Sequence, residues 1–333
     1  MQKSFATYYE KLESLFMIET RQLSKQYGSV TALHPLDLEI APQEIFGYVG
    51  PNGSGKTTTI RMLCGLLTPS SGAATVAGVD ITTDAAKVRS SIGFMPDHLV
   101  PYDGMRVWEY LDFFGAAYRI GRRQRKKRTQ EVLELTGSSA LQDYFVETLS
   151  HGMRQRLGVA RALIHDPDVL FLDEPTNGLD PRARVEMRLL LDRLKQQGKT
   201  ILISSHILHE LALMCDRVGF IEQGKLLVCG TVDTVQRTVH PDRIFEIEVL
   251  HNAESVENAI AQILEPSKLV SISRLENLIR VEMKINRAEI SDLLSDLVKQ
   301  GHSIIGFREL QADLEEAFMA LTADVEFGTR SNE

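Results

Sequence analysis

A glycine-rich segment at residues 50–57 constrains this chain more than any other feature of its sequence. From Gly50 to Thr57 it fits the pattern G-x-x-x-x-G-K-[ST], between an apolar, strand-like run at residues 45–49 and a helix-like run at residues 58–67. Glycines let successive backbone N–H groups turn inward around phosphate oxygens, and the N-terminus of a following helix adds its positive dipole end. The segment therefore predicts an α/β fold with a phosphate-binding loop (P-loop).

The residues of this P-loop are expected to share the binding of a nucleotide. Lys56 should reach the β- and γ-phosphates, and the hydroxyl of Thr57 should ligate Mg²⁺. A glycine-rich turn matches the same pattern by accident in about one chain in a hundred, but the flanking strand and helix favour the functional interpretation. The predicted nucleotide-binding residues of the loop are Gly50, Pro51, Asn52, Gly53, Ser54, Gly55, Lys56, Thr57 and Thr58.

Two acidic residues follow a second apolar run. Residues 169–172 read as a buried strand, and Asp173 and Glu174 come directly after them. In a parallel sheet the carboxyl ends of the strands share one edge, which would set these carboxylates beside the P-loop. Asp173 is then expected to hold the metal, and Glu174 to orient and deprotonate a water for attack on the γ-phosphate. An Asp-Glu pair after a strand can also be no more than a turn or a helix start.

Short apolar runs alternate with helix-period stretches from residue 17 to about residue 230. This alternation predicts parallel strands joined by crossover helices, in a sheet covered on both faces. Between residues 105 and 149 the strand signal vanishes, and the sequence predicts a helical insertion. Its three helix-like segments are 107–119, 124–135 and 139–144.

After residue 240 the pattern restarts as strand, helix, two strands, helix, strand and a final helix at 314–321. This order predicts a small α+β domain of the ferredoxin-like type. The expected domains are an N-terminal extension at 1–16, an ATPase domain at 17–238, an accessory domain at 241–325 and a flexible tail at 326–333. Because residue 17 is a methionine that opens a strand-like run, a start there is an alternative to a start at residue 1.

Composition excludes several classes of protein. Lys plus Arg is 37 and Asp plus Glu is 45, and the formal net charge of −8 argues against a chain built around a nucleic-acid backbone. No run approaches the roughly 18 apolar residues of a membrane-spanning helix, and the charged first segment does not fit a signal peptide. Three cysteines without metal-ligand spacing suit free thiols in a reducing compartment, so we expect a cytosolic location.

A third motif carries a resemblance to a known family. Residues 149–153 read Leu-Ser-His-Gly-Met and resemble the Leu-Ser-Gly-Gly-Gln signature of the ATP-binding-cassette (ABC) family. In that family the signature binds the γ-phosphate held by the opposite subunit, which implies ATP-binding roles for Ser150 and Gly152. A hydroxyl and an unobstructed N–H at a helix start suit an anion. His151 and Met153 depart from the family pattern, and a Ser-capped helix would explain the segment taken alone.

The other elements of the ABC cassette occur in the family's order over about residues 17–232. The resemblance implies that Tyr27 stacks on adenine, that Asp180 crosses a dimer interface and that His206 contacts the γ-phosphate. Asp97 stands where the family has a glutamine, and an aspartate can accept hydrogen bonds from water or ligate Mg²⁺ but cannot donate as an amide does. The predicted catalytic residues are Lys56, Glu174 and His206, and the predicted metal ligands are Thr57, Asp97 and Asp173.

Residues 119–128 form the one strongly basic run in this acidic chain. The run could meet anionic lipid head groups or nucleic acid, since each Lys or Arg near an anionic membrane contributes roughly 1 kcal/mol. Aromatic side chains that would stack on bases are not interleaved with these charges. A solvated turn and helix face also explains the run, and the sequence alone slightly favours that interpretation.

The resemblance implies the nucleotide-binding subunit of an ABC transporter, with ATP and Mg²⁺ as cofactors, attached to the cytoplasmic face of the membrane through a separate permease. One P-loop and one signature per chain imply a head-to-tail dimer of two copies. Residues 105–149 are expected to grip the permease. A single cassette followed by a small domain resembles the subclass that exports drugs, antibiotics or polysaccharides. The alternative function is a soluble ABC ATPase that remodels nucleic acid or ribosomes.

Overall fold

The computed structural model describes residues 16–100, 102–239 and 242–310. The chain forms two compact units, which divide between Val232 and Asp233. This division comes earlier than the expected boundary at 238–241 and falls at the start of the helix Val232–Val239. The expected N-terminal extension lies outside the described residues except for its last residue, and the final helix and the tail lie outside them entirely.

The described part of the first unit contains ten strands and the helices that connect them. Its strands are β1 Ile18–Tyr27, β2 Val30–Ile40, β3 Ile45–Val49, β4 Ser71–Val76, β5 Val79–Asp80, β6 Ile92–Met95, β7 Val169–Asp173, β8 Thr200–Ser205, β9 Arg217–Glu222 and β10 Lys225–Thr231. Its helices are α1 Lys56–Leu63, α2 Ala85–Ser91, α3 Val107–Ala117, α4 Arg122–Leu135, α5 His151–Leu163, α6 Pro181–Gln196 and α7 Leu208–Ala212, and α8 Val232–Val239 begins at the division.

A six-stranded sheet in the order β10-β9-β3-β8-β7-β6 forms the centre of the first unit. Its strands run parallel except β10, which pairs antiparallel with β9 at one edge. Every residue of β3, β7 and β8 is buried, as the unbroken apolar runs predicted for a sheet covered on both faces. The P-loop follows β3 and the Asp173-Glu174 pair follows β7, two parallel strands separated by β8, so both leave the sheet at the same carboxyl edge.

A second, antiparallel sheet accompanies the parallel-rich central sheet, where the alternation of strands and helices predicted parallel strands. The strands β2, β1, β4 and β5 form a four-stranded antiparallel sheet in that order. The physical reason lies at residues 28–29, where Gly28 has a φ of 57° and β1 turns directly into β2. So short a connection can join only antiparallel neighbours, because parallel strands need a long crossover.

Helix α1 packs in the core between these two sheets. Ile60, Met62 and Leu63 belong to one buried cluster with residues of β1, β2, β3 and β7. The helix spans Lys56–Leu63 rather than the predicted 58–67. It ends earlier because Gly65 adopts a φ of 63°, and the N–H groups of the next two residues turn back to the carbonyl of Arg61 at 2.9 and 3.1 Å.

The insertion at 105–149 contains α3 and α4, followed by short 3-10 turns at Ser139–Leu141 and Val146–Thr148. The helix predicted at 139–144 is therefore a single turn. Its continuation is prevented because the backbone beyond it pairs with the start of α3: Val107 donates to the carbonyl of Tyr144 at 3.0 Å, and Trp108 to that of Gln142 at 3.1 Å.

The second unit has the predicted ferredoxin-like topology. Its elements are β11 Arg243–Val249, α9 Ala253–Ile263, β12 Leu269–Leu275, β13 Leu278–Met283, α10 Arg287–Lys299 and β14 Ile304–Leu310. The strands pair antiparallel in the order β12-β13-β11-β14, and Phe245, Ile260 and Leu297 are among the residues of its own buried core. None of the helices in the described part of either unit is long and apolar enough to cross a bilayer.

Candidate nucleotide-binding site

The P-loop is held closely against neighbouring backbone. The N–H of Gly50 donates to the carbonyl of Ser205 at 3.3 Å, and a Cβ at Gly50 would lie 2.1 Å from the carbonyl oxygen of Ile221. Gly55 has a φ of 107°, and a Cβ there would lie 2.6 Å from the carbonyl oxygen of Ala32. Only glycine fits at both positions, which leaves the loop N–H groups free of side-chain cover, as a phosphate cradle requires.

Lys56 is buried at the start of α1, with its ammonium group turned back onto the loop. Its Nζ donates to the carbonyl oxygens of Gly50 at 2.6 Å and Pro51 at 3.1 Å and lies 3.6 Å from Glu174 Oε1. Burial lowers the pKa of Lys56, against the carboxylates of Glu174 and Asp173, which raise it. The side chain is therefore a desolvated cation within reach of the loop, suited to an incoming phosphate.

Thr57 and Asp173 place two oxygen ligands side by side. The Thr57 hydroxyl donates to Asp173 Oδ2 at 2.9 Å, and the Ser204 hydroxyl donates to the other oxygen, Oδ1. Mg²⁺ typically takes one or two protein oxygens, with phosphates and waters completing its octahedron. The described residues contain no cluster of three or more His, Cys, Asp or Glu that could enclose a metal. The pair thus fits an ion that arrives with a nucleotide.

Glu174 is held in a strained conformation beside His206. Its φ is 51°, and its N–H donates to the carbonyl and to the hydroxyl of Ser204, both at 3.1 Å. His206 Nδ1 lies 2.9 Å from Glu174 Oε2, so this nitrogen carries the proton that the carboxylate accepts. The other oxygen, Oε1, is buried without a hydrogen-bond partner among the described residues. A positive φ at a non-glycine residue costs about 1–3 kcal/mol and is typical of functional sites.

Lys56, Thr57, Asp173 and Glu174 line one cavity of about 190 Å³, whereas His206 contacts it only through Glu174. Its lining comprises Ala32, Asn52, Gly53, Gly55, Lys56, Thr57, Thr58, Asp97, Asp173 and Glu174. The structure thus brings together most of the predicted loop, the predicted metal ligands and the predicted base. Asp97 belongs to this cavity although it comes from the loop after β6, and its Oδ2 lies 3.0 Å from His98 Nδ1.

Tyr27 is not part of the lining. Its side chain is 49% exposed at the end of β1, with Lys25 Nζ 5.2 Å from the ring centroid. It pairs with Val30, the first residue of the strand that carries Ala32 to the cavity. The ring is thus open to solvent, and its role in stacking on adenine stays a prediction.

The signature residues and Asp180 do not line the P-loop cavity. Ser150 caps α5 by accepting from the N–H of Met153 at 3.3 Å, and Asp180 caps α6 by accepting from the N–H of Ala183 at 2.8 Å. Gly152 lies in the first turn of α5, where an added Cβ would lie 3.5 Å from Leu179 Cδ2. Within one chain these residues form a separate surface rather than the second wall of the cavity.

Sequence reasoning missed the roles of two serines at the end of β8. Ser204 supports both Asp173 and the backbone of Glu174, and Ser205 accepts from Gly50. The signal for them is positional: they end a buried strand, as Asp173 does. Only the sheet order reveals the contacts, because β8 lies between β3 and β7, with Ser204 opposite Asp173 and Ser205 opposite Val49.

A second missed feature is a contact of His151, one of the two signature residues that depart from the family pattern. Its Nε2 lies 2.7 Å from the carbonyl oxygen of Asn177 and must donate to it, and a Cβ at Gly178 would lie 3.1 Å from the same nitrogen. His151 and Asp97 also line one cavity of about 200 Å³ with His98. Two of the three departures from the family pattern, Asp97 and His151, are therefore neighbours in space.

Several known proteins are similar to this chain. The family model described as "ABC transporter" matches residues 33–177. The linearmycin resistance ATP-binding protein LnrL of Bacillus subtilis (strain 168) is 31% identical over 92% of this chain and 98% of its own length. The probable multidrug ABC transporter ATP-binding protein YbhF of Escherichia coli (strain K12) is 35% identical over 71% of this chain, which spans only 42% of YbhF.

Among solved structures, the dimeric structure of MJ0796, a bacterial ABC transporter cassette, is similar with a TM-score of 0.60 and 25% identity. The similarity covers 65% of this chain and 99% of MJ0796. Fold and site together define a P-loop ATPase. The chain belongs to the ABC transporter family, as an ATP-binding subunit that hydrolyses ATP. The comparisons do not favour the alternative of a nucleic-acid or ribosome remodeller.

Proposed function

We propose that this chain powers a separate membrane permease by Mg²⁺-dependent ATP hydrolysis, and that the transport is export. The observation that carries the catalytic part is the convergence of Lys56, Thr57, Asp173 and Glu174 on one cavity at the carboxyl edge of the central sheet. Lys56 supplies a cation for the phosphates, and Thr57 and Asp173 supply two oxygens for a metal. Glu174 supplies a base for the attacking water.

Glu174 is proposed as the general base. His206 donates to Glu174 Oε2 and fixes the carboxylate, and Oε1, which lies 3.6 Å from Lys56 Nζ but accepts no hydrogen bond from the described residues, would take a proton from the attacking water. The water oxygen then bonds to the γ-phosphorus, and ADP leaves. Mg²⁺, when bound by Thr57 and Asp173, neutralises charge on the phosphates. Asp97 is proposed to line the water side of the same cavity, and Tyr27 to stack on adenine.

The complete site is proposed to need a second copy of the chain. Ser150, Gly152 and Asp180 line no part of the P-loop cavity of their own chain, although a helix start with a hydroxyl and a bare N–H suits an anion. The solved dimer of MJ0796 supports a dimeric arrangement for cassettes of this fold. In a head-to-tail pair, the signature surface of one chain would close on the ATP held by the other.

Export and a membrane partner are supported by the relatives. LnrL is a resistance protein by name, and YbhF is a probable multidrug transporter protein. Residues 105–149 are proposed to contact the permease, which would hold the chain at the cytoplasmic face of the membrane. Co-purification of the tagged full chain from detergent-solubilised membranes tests this directly. An integral membrane protein that raises the ATPase rate is expected; recovery of ribosomes or DNA instead would contradict the proposal.

A further inference from the structure

Helix α4 carries a cleft that the catalytic site does not use. The cleft has a volume of about 810 Å³, and its lining includes Trp108 of α3 and Arg122, Arg123 and Lys126 of α4. A second depression of about 440 Å³ lies along the same helix and shares Arg123 and Lys126 with the first. We call this surface the α4 basic face, defined by Trp108, Arg122, Arg123 and Lys126.

The structure divides the basic run into structural and free cations. Arg125 is ion-paired with Asp112 at 2.7 Å, and Arg128 with Glu131 at 2.8 Å, with a further bond to the carbonyl of Leu163. These two side chains hold α4 against the rest of the unit. The three cations of the α4 basic face form no ion pair with the described residues and lie in solvent.

Acidic groups reduce the charge of the cleft only partly. Asp112 and Asp143 also line it. The Asp112 carboxylate is bound in both its oxygens by Arg125, so its charge is already compensated. One acidic side chain, Asp143, therefore stands against three uncompensated cations. The cleft is positive on a chain whose net charge is −8, which localises any attraction to polyanions at this face.

Exposed aromatic side chains border the cations. Trp108 is 42% exposed and Tyr144 is 54% exposed. They are neighbours, because residues 107–108 bond through their backbone N–H groups to residues 142–144. Trp and Tyr beside Lys and Arg are the combination enriched at membrane–water interfaces, where the rings sit at head-group level and the cations meet anionic lipids.

We propose that the α4 basic face binds the surface of a bilayer that contains anionic lipids. The charges favour an anionic partner, and the aromatic pair at the rim favours a lipid interface over nucleic acid, since stacking on bases needs rings interleaved with the cations. This contact is additional to the proposed contact with the permease and needs neither the permease nor ATP. It would give the chain its own affinity for the membrane.

Trp108 provides a direct probe, because it is the only tryptophan in the chain. The full chain is titrated with phosphatidylcholine vesicles, with and without phosphatidylglycerol, while tryptophan emission is followed and binding is checked by vesicle flotation. We expect a blue shift and flotation with the anionic vesicles, weakened by added salt, and neither with phosphatidylcholine alone.

The test variant carries Arg122→Gln, Arg123→Gln and Lys126→Gln. Each cation near an anionic surface contributes about a fivefold factor, so the partition coefficient should fall about 100-fold. The matched control carries Lys87→Gln, Arg193→Gln and Arg280→Gln, which remove the same charge from exposed positions elsewhere. The control should bind as the unchanged chain does. ATP binding verifies that both variants are folded.

Three results would overturn the proposal. They are equal binding to neutral and anionic vesicles, equal loss in the test and control variants, and a stronger response of Trp108 emission to RNA or to an acidic peptide than to anionic vesicles. The last would assign the face to another polyanion. If the chain binds anionic vesicles but lacks ATPase activity, the proposed function is contradicted and the membrane-binding proposal stands. If it hydrolyses ATP but does not bind the vesicles, the membrane-binding proposal is contradicted and the proposed function stands.

Discussion

The two surfaces proposed to meet ATP differ in how their polar groups are satisfied. On the P-loop side, Lys56 and Glu174 are buried, Ser54 Oγ and Glu174 Oε1 have no hydrogen-bond partner among the described residues, and Glu174 has a strained backbone. On the signature side, Ser150 and Asp180 cap their own helices. The P-loop side therefore has polar groups that a ligand could satisfy. On the signature side, the polar groups of Ser150 and Asp180 are already used as helix caps.

This difference has a physical basis in the central sheet. An unsatisfied buried polar atom costs about 1–3 kcal/mol, and a strained φ costs a similar amount. The fully buried strands β3, β7 and β8 hold the P-loop and Glu174 in place despite that cost. The signature side carries no such cost in one chain. In the proposed mechanism, the P-loop side preorganises the chemistry within one chain, and the signature side would acquire its role only against a second chain.

The largest expected effect comes from Glu174→Gln. The substitution keeps the side chain's size and removes its basicity, and general-base catalysis is typically worth about 10²–10⁴ in rate. ATP binding should survive because Lys56, Thr57 and Asp173 are unchanged. We expect phosphate release to fall by that factor and an ATP-bound dimer to accumulate, measured by size-exclusion chromatography with and without Mg-ATP. Hydrolysis at the unchanged rate would exclude Glu174 as the base.

The second effect sharpens the comparison at the signature surface. Ser150→Arg, added to Glu174→Gln, should raise the dissociation constant of the ATP-bound dimer by about 100-fold or more, since the long side chain would fill the space that the opposing phosphate needs. ATP binding by the monomer should not change, because the P-loop cavity contains no part of α5. A dimer of unaltered stability would show that Ser150 lies outside the interface.

Asp97 offers an intermediate effect on the P-loop side. Asp97→Ala should lower kcat by about 10- to 100-fold, the range of a lost hydrogen bond to a charged group, with a smaller change in KM. The P-loop contacts remain, so binding is spared. Steady-state kinetics of the permease-bound complex measure both constants. Equal rates would remove Asp97 from the site and make its neighbour His98 the next residue to test.

The smallest effect tests whether the two surfaces are connected within one chain. His151 joins the start of α5 to the loop after Glu174 through the carbonyl of Asn177. His151→Ala should weaken the ATP-bound dimer of the Glu174→Gln chain by about 2- to 10-fold, the worth of one neutral hydrogen bond. His151→Gln keeps a hydrogen-bond donor near the same position and should restore most of the stability of the ATP-bound dimer.

His98→Ala is the control for that experiment, because His98 lines the same cavity as His151 and its side chain is 87% exposed. It should leave the dimer unchanged. If His151→Ala and His151→Gln weaken the dimer equally, the histidine fills space there and the hydrogen bond to Asn177 has no positioning role.

Much of this protein follows from its sequence alone. Two features were sufficient to predict the α/β cassette: the P-loop between a strand and a helix, and the acidic pair after a buried strand. The restart of the pattern after residue 240 was sufficient to predict the ferredoxin-like second domain. These features are local: glycine spacing, apolar runs and hydrophobic periods each involve only a few consecutive residues. They can therefore be recognised in the amino-acid sequence. Family resemblance supplied Ser150, Gly152, Asp180 and His206, which no local pattern would have selected.

Tertiary structure alone decided the rest. Sheet order placed Ser204 and Ser205 beside Asp173 and the P-loop, and the same order brought Asp97 to the cavity. A turn of two residues made β1 and β2 of the four-stranded sheet antiparallel, and the packing of α5 set His151 on the carbonyl of Asn177. Ion pairing divided the basic run into anchored and free cations. These outcomes join residues far apart in the chain, so they depend on strand order and packing, which no local sequence pattern encodes.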